Sequence, residues 1–172
     1  MRIALLSNPS SGRGRHAAAD DVARRLLTEA DHEVLRVRGS SYEQARRAGR
    51  ALLGDGPHRN VEALVVVSGD GMVHLGVDIV ATTGVPLGIV ATGTGNDIAR
   101  HFGLPSRDAA ASARLINQAL SGKGAITAVD AIYASRPDGT LLAPQRRWSL
   151  AVVSAGVDAA VNARANTLSW PA

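Results

Sequence analysis

Short apolar runs alternate with amphipathic stretches along the first 120 residues of the chain. The apolar runs predict strands over residues 2–8, 32–38, 62–67 and 86–90, and the third ends in Val65-Val66-Val67, the β-branched composition of a strand buried on both faces. The amphipathic stretches predict a helix of about four turns that ends near Asp31, then helices over 42–53 and 72–82, a short one from Asp97 through Phe102, and one over 108–120. This alternation predicts an α/β fold built on an open, mostly parallel, doubly wound sheet with right-handed crossovers.

Turn residues mark the ends of several predicted helices. Gly39, Ser40 and Ser41 precede the second helix as a turn and N-cap, and Pro105 with Ser106 is expected to cap the last one. Gly122 follows that last helix, where a glycine commonly ends helical structure.

The pattern changes after residue 123. Strands are predicted over 125–133 and 148–154, with a hairpin signal at Asp138-Gly139 and a helix start over 157–165. No crossover helix separates the two strands, so we expect them to be antiparallel. The chain is therefore divided into an α/β domain over 1–123 and the beginning of a β-rich domain over 124–172. The uncovered strand edges predict a longer protein or a second copy of the chain, a homodimer, that covers them.

Composition excludes several classes of protein. The chain has no cysteine, which excludes a disulfide framework, a thiolate metal site and a thiolate nucleophile. No apolar run reaches the roughly 18 residues of a membrane span, and no signal segment precedes the first strand, so we expect a soluble, cytoplasmic protein. The net charge of +4 comes mostly from arginine and favours anionic partners such as phosphate or an acidic membrane surface. An aromatic content of 3% argues against nucleic acid as the partner.

Glycine-rich loops follow three of the predicted strands, at Asn8 to Gly14, Ser68 to Gly71 and Ala91 to Asp97. The carboxyl ends of parallel strands meet at one edge of a sheet, so we expect the three loops to converge there. Backbone N–H groups in such turns bind anions, and a carboxylate such as Asp70 can hold Mg²⁺ beside a phosphate. The alternative is that Asp70 is only a turn or N-cap residue. The loops match neither a Walker A motif nor a complete dinucleotide-binding fingerprint, since Ile98 stands where the third glycine belongs.

Three motifs in their order and spacing resemble the diacylglycerol kinase catalytic domain family. They are Asn8-Pro9-Ser10-Ser11-Gly12, Ser68-Gly69-Asp70-Gly71, and the stretch from Pro86 to Arg100 that contains Gly93-Thr94-Gly95-Asn96-Asp97. The family includes bacterial lipid kinases and is similar to sphingosine kinases, while NAD kinases share its Gly-Gly-Asp-Gly element. The resemblance implies an α/β nucleotide-binding domain followed by a β-sandwich domain, of which residues 124–172 would be the incomplete beginning.

The resemblance also implies cofactors and site residues. The ATP-binding residues would be Asn8, Pro9, Ser10, Ser11, Gly12, Ser40, Ser68, Gly69, Asp70, Gly71, Met72, His74, Gly93, Thr94, Gly95 and Asn96. Asp70 and Asp97 would be catalytic, and together with Asp130 they would hold Mg²⁺ through water. The reaction would transfer the γ-phosphoryl group of ATP to a lipid hydroxyl, such as that of diacylglycerol, at the inner face of a membrane. The family's general base is a carboxylate of the second domain, for which this chain shows no matching position.

Four residues depart from the family's Gly-Gly-Asp-Gly-Thr turn. Ser68 replaces the first glycine, and Met72, His74 and Leu75 replace a threonine, an asparagine and a glutamate. Met72 cannot donate a hydrogen bond to phosphate, which leaves the affinity for ATP and the choice of phosphoryl donor open. We interpret His74 as a residue on an exposed helix face, with donation to phosphate as the alternative. Two other functions remain open: a non-catalytic nucleotide- or phosphate-binding module, and a kinase of a soluble substrate such as NAD.

Overall fold

The computed structural model describes residues 1–7, 15–37, 39, 41–54, 60–135, 148–150 and 156–165. Its elements, in chain order, are β1 (Arg2–Ser7), α1 (Arg15–Glu29), β2 (Glu33–Val37), α2 (Tyr42–Leu53), β3 (Ala63–Ser68), α3 (Asp70–Val80), β4 (Leu87–Ala91), α4 (Asp97–His101), α5 (Ala109–Leu120), β5 (Ile132–Tyr133), β6 (Trp148–Ser149) and α6 (Gly156–Ala165). The predicted alternation of strands and helices is confirmed.

Four strands form an all-parallel sheet in the order β2-β1-β3-β4. At the carboxyl ends, Ser7 of β1 pairs with Val67 of β3, and Ser68 of β3 pairs with Ala91 of β4. The strands that precede the three glycine-rich loops are therefore neighbours and end level with one another. The loops that follow β3 and β4 begin at the edge where β1 ends.

Two apolar layers cover the two faces of the sheet. Leu64 and Val66 of β3 point to the layer formed with α2 and α3, whereas Val65 and Val67 point to the layer formed with α1 and α5. All four side chains are fully buried. This explains the unbroken apolar run in β3, because a central parallel strand has no solvent face. The predicted α/β fold class is confirmed.

Two predicted boundaries differ at places that affect the site. α3 begins at Asp70 and not at Met72, because Gly69 is extended (φ −90°, ψ −175°) and serves as the N-cap. α5 is capped by the Asp108 side chain, which accepts from the Ala111 N–H at 2.8 Å, and not by Pro105 and Ser106. Ser106 instead forms a parallel bridge with Ala91 at the end of β4.

The strand predicted over 125–133 is wrong for most of its length. Residues 125–131 have no regular structure, and all except Ala131 are exposed. Only Ile132 and Tyr133 pair, antiparallel, with Ser149 and Trp148. The predicted antiparallel pairing is thus confirmed, over two residues of each strand. Residues 151–154 of the second predicted strand and the Asp138-Gly139 hairpin signal lie outside the described residues.

This small sheet, β5 and β6, packs on α3. Trp148, Leu150 and Ala131 contact the apolar layer that includes α3, and Leu150 is 7% exposed. The rings of Tyr133 and Trp148 lie 4.9 Å apart between centroids. Among the helices that the structure describes, none has the length and apolar character to cross a membrane.

Candidate functional site

The glycine turns after β3 and β4 touch each other, backbone against backbone. A Cβ atom at Gly93 would lie 2.6 Å from the Gly69 Cα, and one at Gly69 would lie 3.1 Å from the Gly93 Cα. The close approach therefore requires glycine at position 93, and at position 69 a side chain would fit only if the facing turn shifted by a few tenths of an ångström. Two of the three predicted loops are therefore brought together as one unit.

The Asp70 carboxylate joins these two turns. Its Oδ2 accepts from the Asp97 N–H at 3.2 Å, and its Oδ1 accepts from the Ile98 N–H at 3.1 Å. Asp70 thus caps α4, whereas its own helix, α3, has Gly69 as N-cap and no side-chain cap. Asp70 is thus a capping residue, as the alternative interpretation holds, but the helix that it caps is α4 and not its own. Each carboxylate oxygen keeps a second lone pair that can face a ligand.

A second carboxylate, that of Asp97, lies beside the first. A Cβ atom at Gly95 would lie 3.3 Å from Asp97 Oδ2 and 3.4 Å from Asp70 Oδ2. The Asp97 side chain is 73% exposed and forms an ion pair with Arg100 one turn later on α4. Gly95 therefore keeps open the space between two carboxylate oxygens on the exposed side of the turn.

These two carboxylates fit a magnesium ion that keeps most of its water. Mg²⁺ is commonly held by one or two carboxylates together with water and substrate phosphates. Among the described residues, no three acidic or histidine side chains come close enough to form a metal cluster. Asp130 is exposed and does not join Asp70 and Asp97 in such a cluster. Its predicted role, through water, remains a prediction.

Asn96 holds the inside of the second turn. It is 1% exposed and adopts a left-handed conformation (φ 54°, ψ 41°). Its Nδ2 donates to the Gly93 carbonyl and to Ser106 Oγ, both at 2.9 Å. Asn96 therefore supports the turn from inside, its predicted contact with the nucleotide remains a prediction, and Thr94 and Gly95 are exposed at the tip of the turn.

Arg107 supports the turn from outside, and sequence reasoning missed it. Its guanidinium donates to the Thr94 carbonyl at 2.8 Å, and its N–H donates to the Ala91 carbonyl at 2.8 Å. Its backbone has φ 60°, a conformation unusual for a residue other than glycine. The sequence signal for a turn at this place is the Pro105-Ser106 pair before Arg107, which is interpreted from the sequence as a helix cap.

Two of the residues that depart from the family turn, Met72 and Leu75, lie on the inner side of α3. Leu75 is fully buried, and the partly buried Met72 packs against the same apolar layer. Gly71 is exposed, with nothing within 4 Å of where a Cβ would lie. Ser68, 5% exposed, ends β3, and its carbonyl accepts from the Thr92 N–H at 3.0 Å.

The interpretation of His74 as a residue on an exposed helix face is wrong. The ring is partly buried because Trp148 and Leu150 pack on this side of α3. Its Nδ1 lies 3.0 Å from the Asp70 carbonyl oxygen, and its Nε2 lies 2.9 Å from the Leu150 carbonyl oxygen. Asn8, Pro9, Ser10, Ser11, Gly12 and Ser40 lie outside the described residues, so their predicted roles remain predictions.

Comparison with known proteins gives a family match and close relatives. The model of the diacylglycerol kinase catalytic domain matches residues 2–134. Proteins named diacylglycerol kinase from two strains of Mycobacterium tuberculosis, CDC 1551 and H37Rv, are 32% identical over 170 residues. The match covers 99% of this chain and 50% of each relative. The chain therefore spans half the length of these relatives.

Solved structures agree in fold. A crystal structure of a diacylglycerol kinase from Bacillus anthracis superposes with a TM-score of 0.53 at 24% identity, covering 68% of this chain and 39% of that one. A second structure from the same organism gives a TM-score of 0.55 at 25% identity over the same shares.

Proposed function

The chain belongs to the diacylglycerol kinase catalytic domain family, and we propose that it forms the nucleotide-binding part of a lipid kinase. The proposed reaction transfers the γ-phosphoryl group of ATP to a lipid hydroxyl, such as that of diacylglycerol. The observation that carries this proposal is the Asp70 carboxylate spanning two touching glycine turns at the carboxyl edge of the sheet. In parallel sheets, this edge is where ligands bind.

The chain's own groups suit phosphoryl transfer, which depends on positioning and charge neutralisation more than on a covalent nucleophile. Thr94 and Gly95 stand exposed at the turn tip, where a hydroxyl and backbone N–H groups can donate to phosphate oxygens. Asp70 and Asp97 would hold Mg²⁺, with Asp130 acting through water. The bound ion would offset the negative charge of the phosphates.

The general base, the membrane contact and the oligomeric state are proposed for the full-length protein. The base that takes the proton of the lipid hydroxyl is proposed to be a carboxylate of the second domain, whose beginning we place at residues 124–172. The protein is proposed to be cytoplasmic and to bind peripherally to the membrane that contains its lipid substrate. The arginine-rich composition supports this, because an acidic surface attracts such a protein. Assembly as a homodimer is part of the same proposal.

A kinase assay on the full-length protein tests the proposal. Radiolabelled ATP with Mg²⁺ is supplied with vesicles that contain diacylglycerol, and in a parallel reaction with NAD. We expect label in the lipid fraction and none in NAD. Label in NAD alone would establish a soluble substrate and contradict the lipid assignment.

One observation favours a second candidate, a nucleotide-binding module without activity. Met72 and Leu75 pack in or against the apolar core at positions where the family pattern has a threonine and a glutamate, so neither offers a polar group to the nucleotide. Calorimetric titration with ATP decides between the two. Binding without turnover on any lipid tested would establish the module in place of the enzyme.

A further inference from the structure

We propose that His74 is a positioning residue that fixes residues 148–150, which include β6, against the turn that carries Asp70. Its function in the reaction rests on the proposed lipid kinase activity, whereas its docking of β6 does not. The residue lies one helical turn after Asp70 on α3, at a position where the family pattern has asparagine.

The contact joins two distant parts of the chain. His74 Nε2 lies 2.9 Å from the carbonyl oxygen of Leu150, 76 residues later, and the contact is partly buried. Leu150 is itself 7% exposed, inside the apolar layer that covers α3. Apolar packing holds the two parts together without fixing their alignment, because it has no directional preference. A hydrogen bond to a chosen carbonyl is directional and therefore sets the alignment.

The other ring nitrogen faces the turn itself. His74 Nδ1 lies 3.0 Å from the carbonyl oxygen of Asp70. The tautomer that carries its proton on Nε2 donates to Leu150, and the proposal needs that bond alone. A neutral ring has one N–H, so in this tautomer the ring is hydrogen-bonded to Leu150 and only in contact with the Asp70 carbonyl oxygen.

Side-chain length makes this arrangement specific to histidine at position 74. The amide nitrogen of an asparagine occupies about the place of Nδ1, and that of a glutamine occupies about the place of Nε2. Asparagine, the residue of the family pattern, therefore reaches the Asp70 carbonyl and falls short of Leu150. A histidine at this position therefore makes a contact with Leu150 that an asparagine side chain is too short to make.

The proposed function gives the link its consequence. Asp70 belongs to the phosphate-binding side, and the acceptor lipid and its base belong to the second domain. An enzyme that must bring a hydroxyl in line with a phosphoryl group loses rate when the two sides are displaced by about 1 Å. Loss of the link should lower kcat and leave nucleotide binding intact.

The test compares His74→Gln with His74→Asn in the full-length protein. The control is His101→Asn, since His101 is exposed at the end of α4 and contacts the Phe102 ring. Hydrogen exchange of peptides covering 148–150 should become about tenfold faster in His74→Asn, as expected from the loss of one hydrogen bond. It should stay near the wild-type rate in His74→Gln and His101→Asn.

Kinetics supply the second readout. The kcat for lipid phosphorylation should fall about tenfold in His74→Asn, with an unchanged KM for ATP, and His74→Gln should restore most of it. Equal losses in the Gln and Asn variants would overturn the proposal, as would exchange that is unchanged in both. Faster exchange without a kcat effect would reject the positioning role. If the wild-type protein phosphorylates no lipid, the proposed function and the kinetic role fail together, and exchange alone decides the docking.

Discussion

The Asp70 carboxylate accepts a hydrogen bond from the backbone N–H of Ile98 at 3.1 Å. A residue of the first turn of α3 thereby caps α4, the helix that begins after the next strand of the sheet. The two turns cannot move independently while this bond is in place. A single polar side chain thus makes one rigid edge out of two loops, and rigid placement is what a phosphate-binding site requires.

Replacement of Asp70 by alanine should affect stability and activity in different proportions. The loss of the cap on α4 should lower the free energy of unfolding by about 1–2 kcal/mol, whereas kinase activity of the full-length protein should be abolished. Urea denaturation and the lipid kinase assay measure the two effects. Asp21→Ala is the matched control, since Asp21 is 69% exposed on α1 and should change stability by less than about 0.5 kcal/mol. Undiminished turnover in Asp70→Ala would contradict the metal-binding role.

Gly93→Ala tests the contact between the turns. The new Cβ would lie 2.6 Å from the Gly69 Cα and 2.9 Å from Asn96 Oδ1, so the backbone of the turn must shift. We expect a loss of about 1–3 kcal/mol of stability, as for overpacked cores, together with weaker ATP binding in calorimetry.

Gly71→Ala is the matched comparison for stability. Nothing lies within 4 Å of a Cβ at Gly71, in the first turn of α3. Alanine is a better helix former than glycine by about 0.5–1 kcal/mol, so thermal unfolding should show equal or greater stability. If the two variants lost equal stability, the close approach of Gly69 and Gly93 would not be the cause.

The sheet and its edge could be predicted from the sequence, because the information is local. Val65 and Val67 stand in an unbroken β-branched run, and the glycine turns interrupt such runs at recognisable places. Strand, turn and helix in this order predict a parallel sheet, and the carboxyl ends of parallel strands lie at one edge. The pairing of Ser68 with Ala91 agrees with that expectation.

The contacts that complete the site depend on residues distant in sequence and could not be predicted. Arg107 reaches the Thr94 carbonyl only because residues 105–107 run beside the end of β4. His74 is covered by a segment 76 residues away. Of the strand predicted over 125–133, only Ile132 and Tyr133 pair with a neighbouring strand, and residues 125–131 form no strand because β-propensity depends on its surroundings.

A buried ion pair holds α2 against α3, and its loss should be costly. Arg46 Nε donates to Asp78 Oδ2 at 2.6 Å, and the Asp78 side chain is fully buried. In Arg46→Met the carboxylate loses this partner in the interior, and we expect a loss of about 3–5 kcal/mol of stability. The double variant Arg46→Met/Asp78→Leu should recover most of it. Urea denaturation measures the free energy of unfolding of both variants. If the double variant is as unstable as Arg46→Met, the loss comes from packing and not from an unpaired carboxylate.

His32, between α1 and β2, should make stability depend on pH. Burial, with the positive charge of the chain's amino group, lowers the pKa of His32 below its usual 6.5, against the opposing effect of Asp31 and Glu62. The imidazole of His32 therefore binds a proton more tightly in the unfolded chain than in the folded protein. The contribution of His32 to stability is present in full above about pH 6.5 and is lost as the pH falls below that value. Urea denaturation between pH 7.5 and about 5, above the range where carboxylates titrate, should show this fall in the wild type and a flatter profile in His32→Gln. An identical fall in both proteins would assign the pH dependence to another group.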